Sequence, residues 1–172
     1  MVLMLGLGCL KPPVPTAPEG TDAALVAYEV EVGADTMEDA PQDFRAVMSE
    51  ALLQVGVTPK PVSVEGYDLL NAHTPGQQLE VLQEATGDAE LLVVLRTEAR
   101  YFSQLNGRFR WVVVVDATVV PPQAPEDALE QSFDVPVFLN FQHDDAHDAL
   151  NAAAPVVDPR LRRMVTTVAA GL

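Results

Sequence analysis

The sequence predicts a single domain of the α/β (α+β) class, with a mixed sheet of about four to five strands, a long β-hairpin and three main helices packed on it. Three observations carry that prediction. Two long β-rich runs are joined by Asn106-Gly107. The apolar residues Phe44, Val47, Met48, Ala51, Leu52 and Val55 recur with the spacing of one helix face. From Ala24 to Leu172 the patterns run strand, helix, weak strand, helix, hairpin, strand, C-terminal helix.

The hairpin spans Ala89 to Val120. Its first strand opens on Leu91–Leu95 and runs through Arg100-Tyr101-Phe102; the second holds Phe109 to Val115 and continues to Val120. Asn-Gly suits a type I′ turn because both central residues need φ > 0. A turn at Asn106-Gly107 sets Leu105 opposite Arg108, Phe102 opposite Trp111 and Arg100 opposite Val113. The apolar ends Leu91–Leu95 and Val112–Val115 are nearly continuous, so both of their faces are expected to be covered. The tip differs: Arg100, Tyr101, Ser103, Gln104, Arg108 and Arg110 make it polar and locally basic.

Upstream of the hairpin, Ala24 to Val32 is β-rich and forms the first strand, and Gly33 to Thr36 is a loop. Pro41 suits the first turn of the next helix, and Gly56 stops it. Val57 to Val64 contains Pro59 and Pro61, which remove ladder donors and confine it to an edge. Glu65 to Ala72 is a short helix. A clearer one starts at Thr74-Pro75, with Leu79, Leu82 and Ala85 facing inward and Gly87 at its end.

Downstream, Pro121 to Gln131 is an exposed loop. Phe133 to Phe141 is a strand whose Pro136 argues for an edge. Asp144 and Asp145 favour a helix start, Pro155 stops that helix, and Asp158-Pro159 begins another. The inner stripe of the last helix is Leu161, Met164, Val165, Val168 and Leu172.

The N-terminal segment, residues 1–9, is apolar and ends in Gly8-Cys9. It is shorter than the ~20 residues a spanning helix requires. It resembles the end of a bacterial lipoprotein signal peptide, in which the cysteine becomes the lipidated N-terminus. Leu5 stands one place too far from Cys9 for the usual order. The basic n-region of a secretory signal is missing, so this reading places the start codon upstream. The other reading is a buried apolar segment with an incidental cysteine. Residues 10–22 are Pro-rich, as an extended tether is, and residues 23–172 form the α/β domain.

A formal charge of −15 excludes nucleic acid as a partner class, since phosphate recognition needs a clustered basic surface. Cys9 is the only cysteine, which excludes an internal disulfide and a thiolate metal site.

With an anchor-like cysteine, a Pro-rich tether, the Phe44–Val55 helix, the run Thr86-Gly87-Asp88-Ala89-Glu90-Leu91-Leu92-Val93-Val94 and the Asn106-Gly107 hairpin, the chain resembles one periplasmic fold. It is shared by the CsgG curli secretion lipoprotein, the amino-terminal domain of TolB and the outer-membrane activators of penicillin-binding proteins. The resemblance implies a bacterial envelope protein, lipid-anchored at Cys9 and facing the periplasm from the outer membrane. It also implies a role in binding other proteins, with no catalytic residues.

Site-like residues are few. Arg96, Glu98 and Arg100 share one strand face by period-2 spacing, either as a recognition surface or as a wet face with cross-strand charge pairs. Tyr101, Arg108, Arg110 and Trp111 add the residue types that dominate interface hot spots, although Trp111 also fits a core position. His143, His147 and Asp148 are the metal candidates, because two imidazoles four apart on a helix plus a carboxylate can hold Zn²⁺. The alternative is a solvated first turn whose acids answer the helix dipole. No serine stands in a nucleophile-elbow context and no Gly-rich phosphate loop is present. The expected function is therefore a non-enzymatic, cofactor-free envelope lipoprotein that binds an envelope protein partner or forms a homo-oligomer. A soluble ligand- or metal-binding domain using His143–Asp148 is the alternative, and a small hydrolase of unrecognised type the third.

Overall fold

A computed structural model describes residues 16–18, 20–31, 36–65, 74–82 and 86–172. The Cys9 segment, most of the predicted tether, the loop residues 32–35, the predicted short helix after Glu65, Ala85 and the side chain of Leu79 lie outside the described residues. The elements are β1 (Asp22–Val30), β2 (Met37–Asp39), α1 (Gln42–Leu53), β3 (Thr58–Val62), α2 (Pro75–Val81), β4 (Leu91–Leu105), β5 (Arg108–Val120), β6 (Leu129–Leu139) and α3 (Ala146–Ala169).

They form one mixed six-stranded sheet in the order β2-β1-β4-β5-β6, with β3 also paired to β1. β1 runs parallel to β3 and to β4; the remaining pairs are antiparallel. The extra strand is β2, three residues within what the pattern left between loop and helix. β3 is parallel and peripheral, as Pro59 and Pro61 require. The folded chain begins before residue 23. Ala17 is buried and donates its N–H to the Val55 carbonyl at 2.8 Å, so the second half of the predicted tether packs on the domain.

Alternating side chains send the sheet's apolar residues into two clusters. One lies under α1 and α3 and includes Leu25, Leu91, Val93, Leu95, Val113, Val115, Phe44, Leu52, Leu150 and Leu161. The other, on the opposite face, joins Val26, Tyr28, Leu92, Val94 and Val120 to Leu82 and Val64. Each fully buried aliphatic side chain contributes about 1.5–3 kcal/mol, so both faces at the start of β4 are held firmly.

α1 buries Phe44, Met48, Ala51 and Leu52, but Val47 is 38% exposed and belongs to the flank of the stripe. Gly56, at φ +83°, ends it in the left-handed region that glycine tolerates. Thr74 caps α2 by accepting from the Gln77 N–H at 3.2 Å.

Pro155 does not stop the C-terminal helix. α3 runs unbroken for 24 residues through Pro155 and Pro159. Both prolines are exposed, so the helix lost a bond only on the side where water reaches the freed carbonyls. The buried stripe from Leu150 through Ala153, Ala154, Val157 and Leu161 continues on both sides of them and holds the helix by packing. Leu172 lies past its end and is exposed. β6 begins at Leu129, four residues earlier than predicted, because its pairing with β5 extends to Val119. Among the described residues no helix is long and apolar enough to cross a membrane.

Candidate functional site

The turn at Asn106-Gly107 forms as predicted, with φ +50° and +78°. Leu105 stands opposite Arg108, as expected. The register then shifts by one residue at Phe102, a β-bulge. Tyr101 therefore faces Trp111, and Arg100 faces Val112, where the unbroken count gave Phe102 and Val113. The bulge turns Phe102 outward and keeps Tyr101 against Trp111 on the helix side. Their rings meet edge-on at 5.7 Å and 70°.

On the other face, Arg96, Glu98 and Arg100 align, and their cross-strand partners are Asp116, Val114 and Val112. Among the described residues no helix lies over this half of the face. Val112 and Val114 are only half-buried, which corrects the expectation of cover on both sides. The charges pair with each other. Arg96 donates to Asp116 at 2.8 Å, and Arg100 forks onto both Glu98 oxygens at 2.5 and 2.8 Å. That fork is the main reason the Glu98 carboxyl titrates lower than usual, against a burial effect of opposite sign. Burial pushes the Tyr28 phenol beside Arg96 up to about 12, so it stays protonated.

The six partner-binding candidates divide. Arg96 and Arg100 lie on the open face, Tyr101 and Trp111 on the helix face, and Arg108 at the turn. Arg110 stacks its guanidinium 4.5 Å over the Phe102 ring. Trp111 packs against the core cluster, and its Nε1 is buried without a hydrogen-bond partner.

Sequence reasoning missed four exposed apolar residues at this end: Phe102, Leu105, Phe138 and Phe141. Phe138 pairs with Arg110, and Phe141 follows Leu139, which pairs with Phe109, so β6 brings its last aromatics level with the turn. Counting outward from that antiparallel pairing is the signal that finds them.

The metal candidates separate. His143 precedes α3 and stacks on Phe141 at 5.4 Å. Asp148 closes a capping box with Asp145, each side chain accepting from the other's N–H at 3.1 Å. His147, in the first turn, lies 3.5 Å from Glu29. Among the described residues no group of three metal-ligating side chains assembles.

Glu29 lines a cleft of about 230 Å³ with Glu31, Thr36, Glu38, Asp145 and His147. Its pKa is raised, first by burial and then by Asp145, Glu38 and Glu31, with His147 opposing. A carboxyl whose folded pKa is raised favours the folded state below its unfolded pKa and loses that advantage as pH climbs through the folded value. Glu29→Gln is thus expected to raise Tm at pH 7, with the gain vanishing below about pH 4.5. Glu98→Gln has the opposite sign: its depressed pKa stabilises above the unfolded value, so the variant should lose Tm at pH 7 and converge on wild type in acid. Thermal melts across that range check both.

No family model and no curated protein matches the chain. Among solved structures, the PelC dodecamer from Paraburkholderia phytofirmans is similar at 14% identity and TM-score 0.45, covering 86% of this chain and 93% of that one. The hypothetical protein CT253 from Chlamydia trachomatis matches at 14% identity and TM-score 0.46, covering 87% and 95%. Lipoprotein GNA1162 from Neisseria meningitidis matches at 10% identity and TM-score 0.44, covering 83% and 99%.

Proposed function

We propose that the protein is a non-enzymatic bacterial envelope lipoprotein, held by a lipid on Cys9 and facing the periplasm, that serves as a protein-binding or assembly component. One observation carries the binding role: the outer half of β4, β5 and β6 has an open face, with no helix over it among the described residues. That face presents Arg96, Arg100, Asp116 and Asp134 around half-buried Val112 and Val114. Apolar area ringed by charges is the composition of a protein interface, with its dry centre and polar rim. Gly8-Cys9 and the prolines that follow support the anchor.

Two variants of the full-length chain test the reading. Cys9→Ser should be released from the membrane fraction by a high-salt wash that leaves wild type in place, because salt screens any charge-driven contact but not a lipid; retention as firm as wild type would rule out the lipid. Asp134→Arg sets a bulky cation on the open face. It should lower recovery of envelope proteins in a pull-down at least tenfold while stability shifts by under about 0.5 kcal/mol. Undiminished recovery with an unchanged melt would remove this face from the binding surface.

A further inference from the structure

We propose that the free end of the β4–β5 hairpin, with the end of β6, is a second contact that docks on an anionic phospholipid bilayer. The proposal does not depend on the lipid at Cys9 or on the protein-binding role of the open face. It starts from where the apolar surface lies. Tyr101, Phe102, Leu105, Phe138 and Phe141 are 45–64% exposed, and strand pairing gathers all five at one end of the sheet.

On β4 and β5 the last well-buried residues toward that end are Ala99 and Val113, while on β6 Val137, opposite Trp111, is still buried. Beyond Ala99 β4 runs six more residues to Leu105; Trp111 and Leu139 still pack on the core beside them, so that past Leu139 and its partner Phe109 the turn from Leu105 to Arg108 projects. The apolar side chains of this end stand on both faces: Tyr101 toward the helix side, Phe138 on the opposite side, and Phe102 thrown outward by the bulge. A flat protein surface meets one face of such a finger. A bilayer interface surrounds it, and interfacial elements bury their apolar groups ~5–10 Å into the headgroup boundary.

Charge makes the same selection. From Ala99 to Val115 the sequence holds Arg100, Arg108 and Arg110 and no acid, in a chain of net charge −15. Arg108 forms no ion pair among the described residues, and Arg110 is laid on the Phe102 ring, with its Nε buried and unbonded. Arg100 is held by Glu98, and Asp144 keeps its charge while accepting from the Phe141 N–H at 2.9 Å, so the cations left to a headgroup are Arg108 and Arg110. Cations beside exposed aromatics attract anionic headgroups, while the acidic body is repelled. The described chain enters at Thr16–Ala17, at the opposite end of the sheet and roughly 50 Å away by strand length, so the contact is separate from any N-terminal one.

Trp111 is the only tryptophan, and it sits at the base of the finger. Its emission reports on this end and ignores whatever the apolar Met1–Leu10 stretch does. The full-length chain carrying Cys9→Ser, which has no lipid, is titrated with vesicles of phosphatidylcholine alone or mixed with phosphatidylglycerol, with and without brominated acyl chains. The mixed vesicles should shift the emission to the blue and quench it through bromine; phosphatidylcholine alone should bind at least tenfold more weakly. Arg108→Glu should weaken the quenching titration about tenfold, and Phe102→Ser should reduce the quenching, each with an unchanged melt. Vesicle binding that leaves Trp111 unquenched would overturn the proposal, as would quenching indifferent to lipid charge. An emission shift with lipid-free envelope proteins but not with vesicles would assign the end to a protein instead.

Discussion

Phe44→Ala should destabilise the domain by about 3–5 kcal/mol, the largest single effect of a substitution considered for this chain. Phe44 is 0% exposed, on the inward face of α1, within the cluster that also holds Met48, Leu52, Leu91 and Leu150. Truncation removes an aromatic ring from a site walled by helix and sheet together, which cannot collapse to refill it. The informative control is Val47→Ala on the same helix. A six-residue stripe makes both residues core, whereas the structure leaves Val47 38% exposed. Val47→Ala should therefore change stability by under about 0.5 kcal/mol. Chemical denaturation of both variants decides it: a loss at Val47 comparable to that at Phe44 would mean that α1 is rotated from the orientation described.

Gly107→Val should cost about 1–3 kcal/mol. Nothing lies within 4 Å of a Cβ placed there, so the penalty comes from the φ of +78° and not from a clash. A β-branched side chain is poorly tolerated in that region, while asparagine is tolerated, as Asn106 at +50° shows. Gly107→Asn should accordingly recover most of the loss. Equal losses for valine and asparagine would exclude backbone strain as the cause. The substitution also bears on function, because the turn sets the register that groups Tyr101, Phe102 and Leu105 at one end.

Much of the architecture was legible because it rests on strong local chemistry. Asn106-Gly107 specifies its turn, the Phe44–Val55 spacing specifies a helix, and Pro59 with Pro61 restricts β3 to an edge. What escaped was decided by tertiary context. Pro155 is a stop signal locally, but a buried stripe on both sides of it carried α3 through. The bulge at Phe102 has no glycine or proline to mark it, and one inserted residue re-paired Arg96, Glu98 and Arg100 with new partners. For the candidate site, the basic residues were visible as composition. The exposed aromatics Phe138 and Phe141 were not, since they join the hairpin end only through the pairing of β5 with β6. His143 and His147 share helical spacing, yet the helix begins between them at Ala146, so one is a stacked loop residue and the other faces Glu29.

The position of β6 at the rim of the sheet has a consequence for how the molecule behaves in a crowd of its own kind. An eleven-residue rim strand offers every second backbone group to a passing chain, the template from which fibrils grow. Pro136 takes one donor out of that template. Glu130 and Asp134 set like charges along it, so that two such rims brought together meet acid against acid. The strand that completes the sheet is thereby also the one that ends it, and crowded copies of the protein are discouraged from polymerising edge to edge.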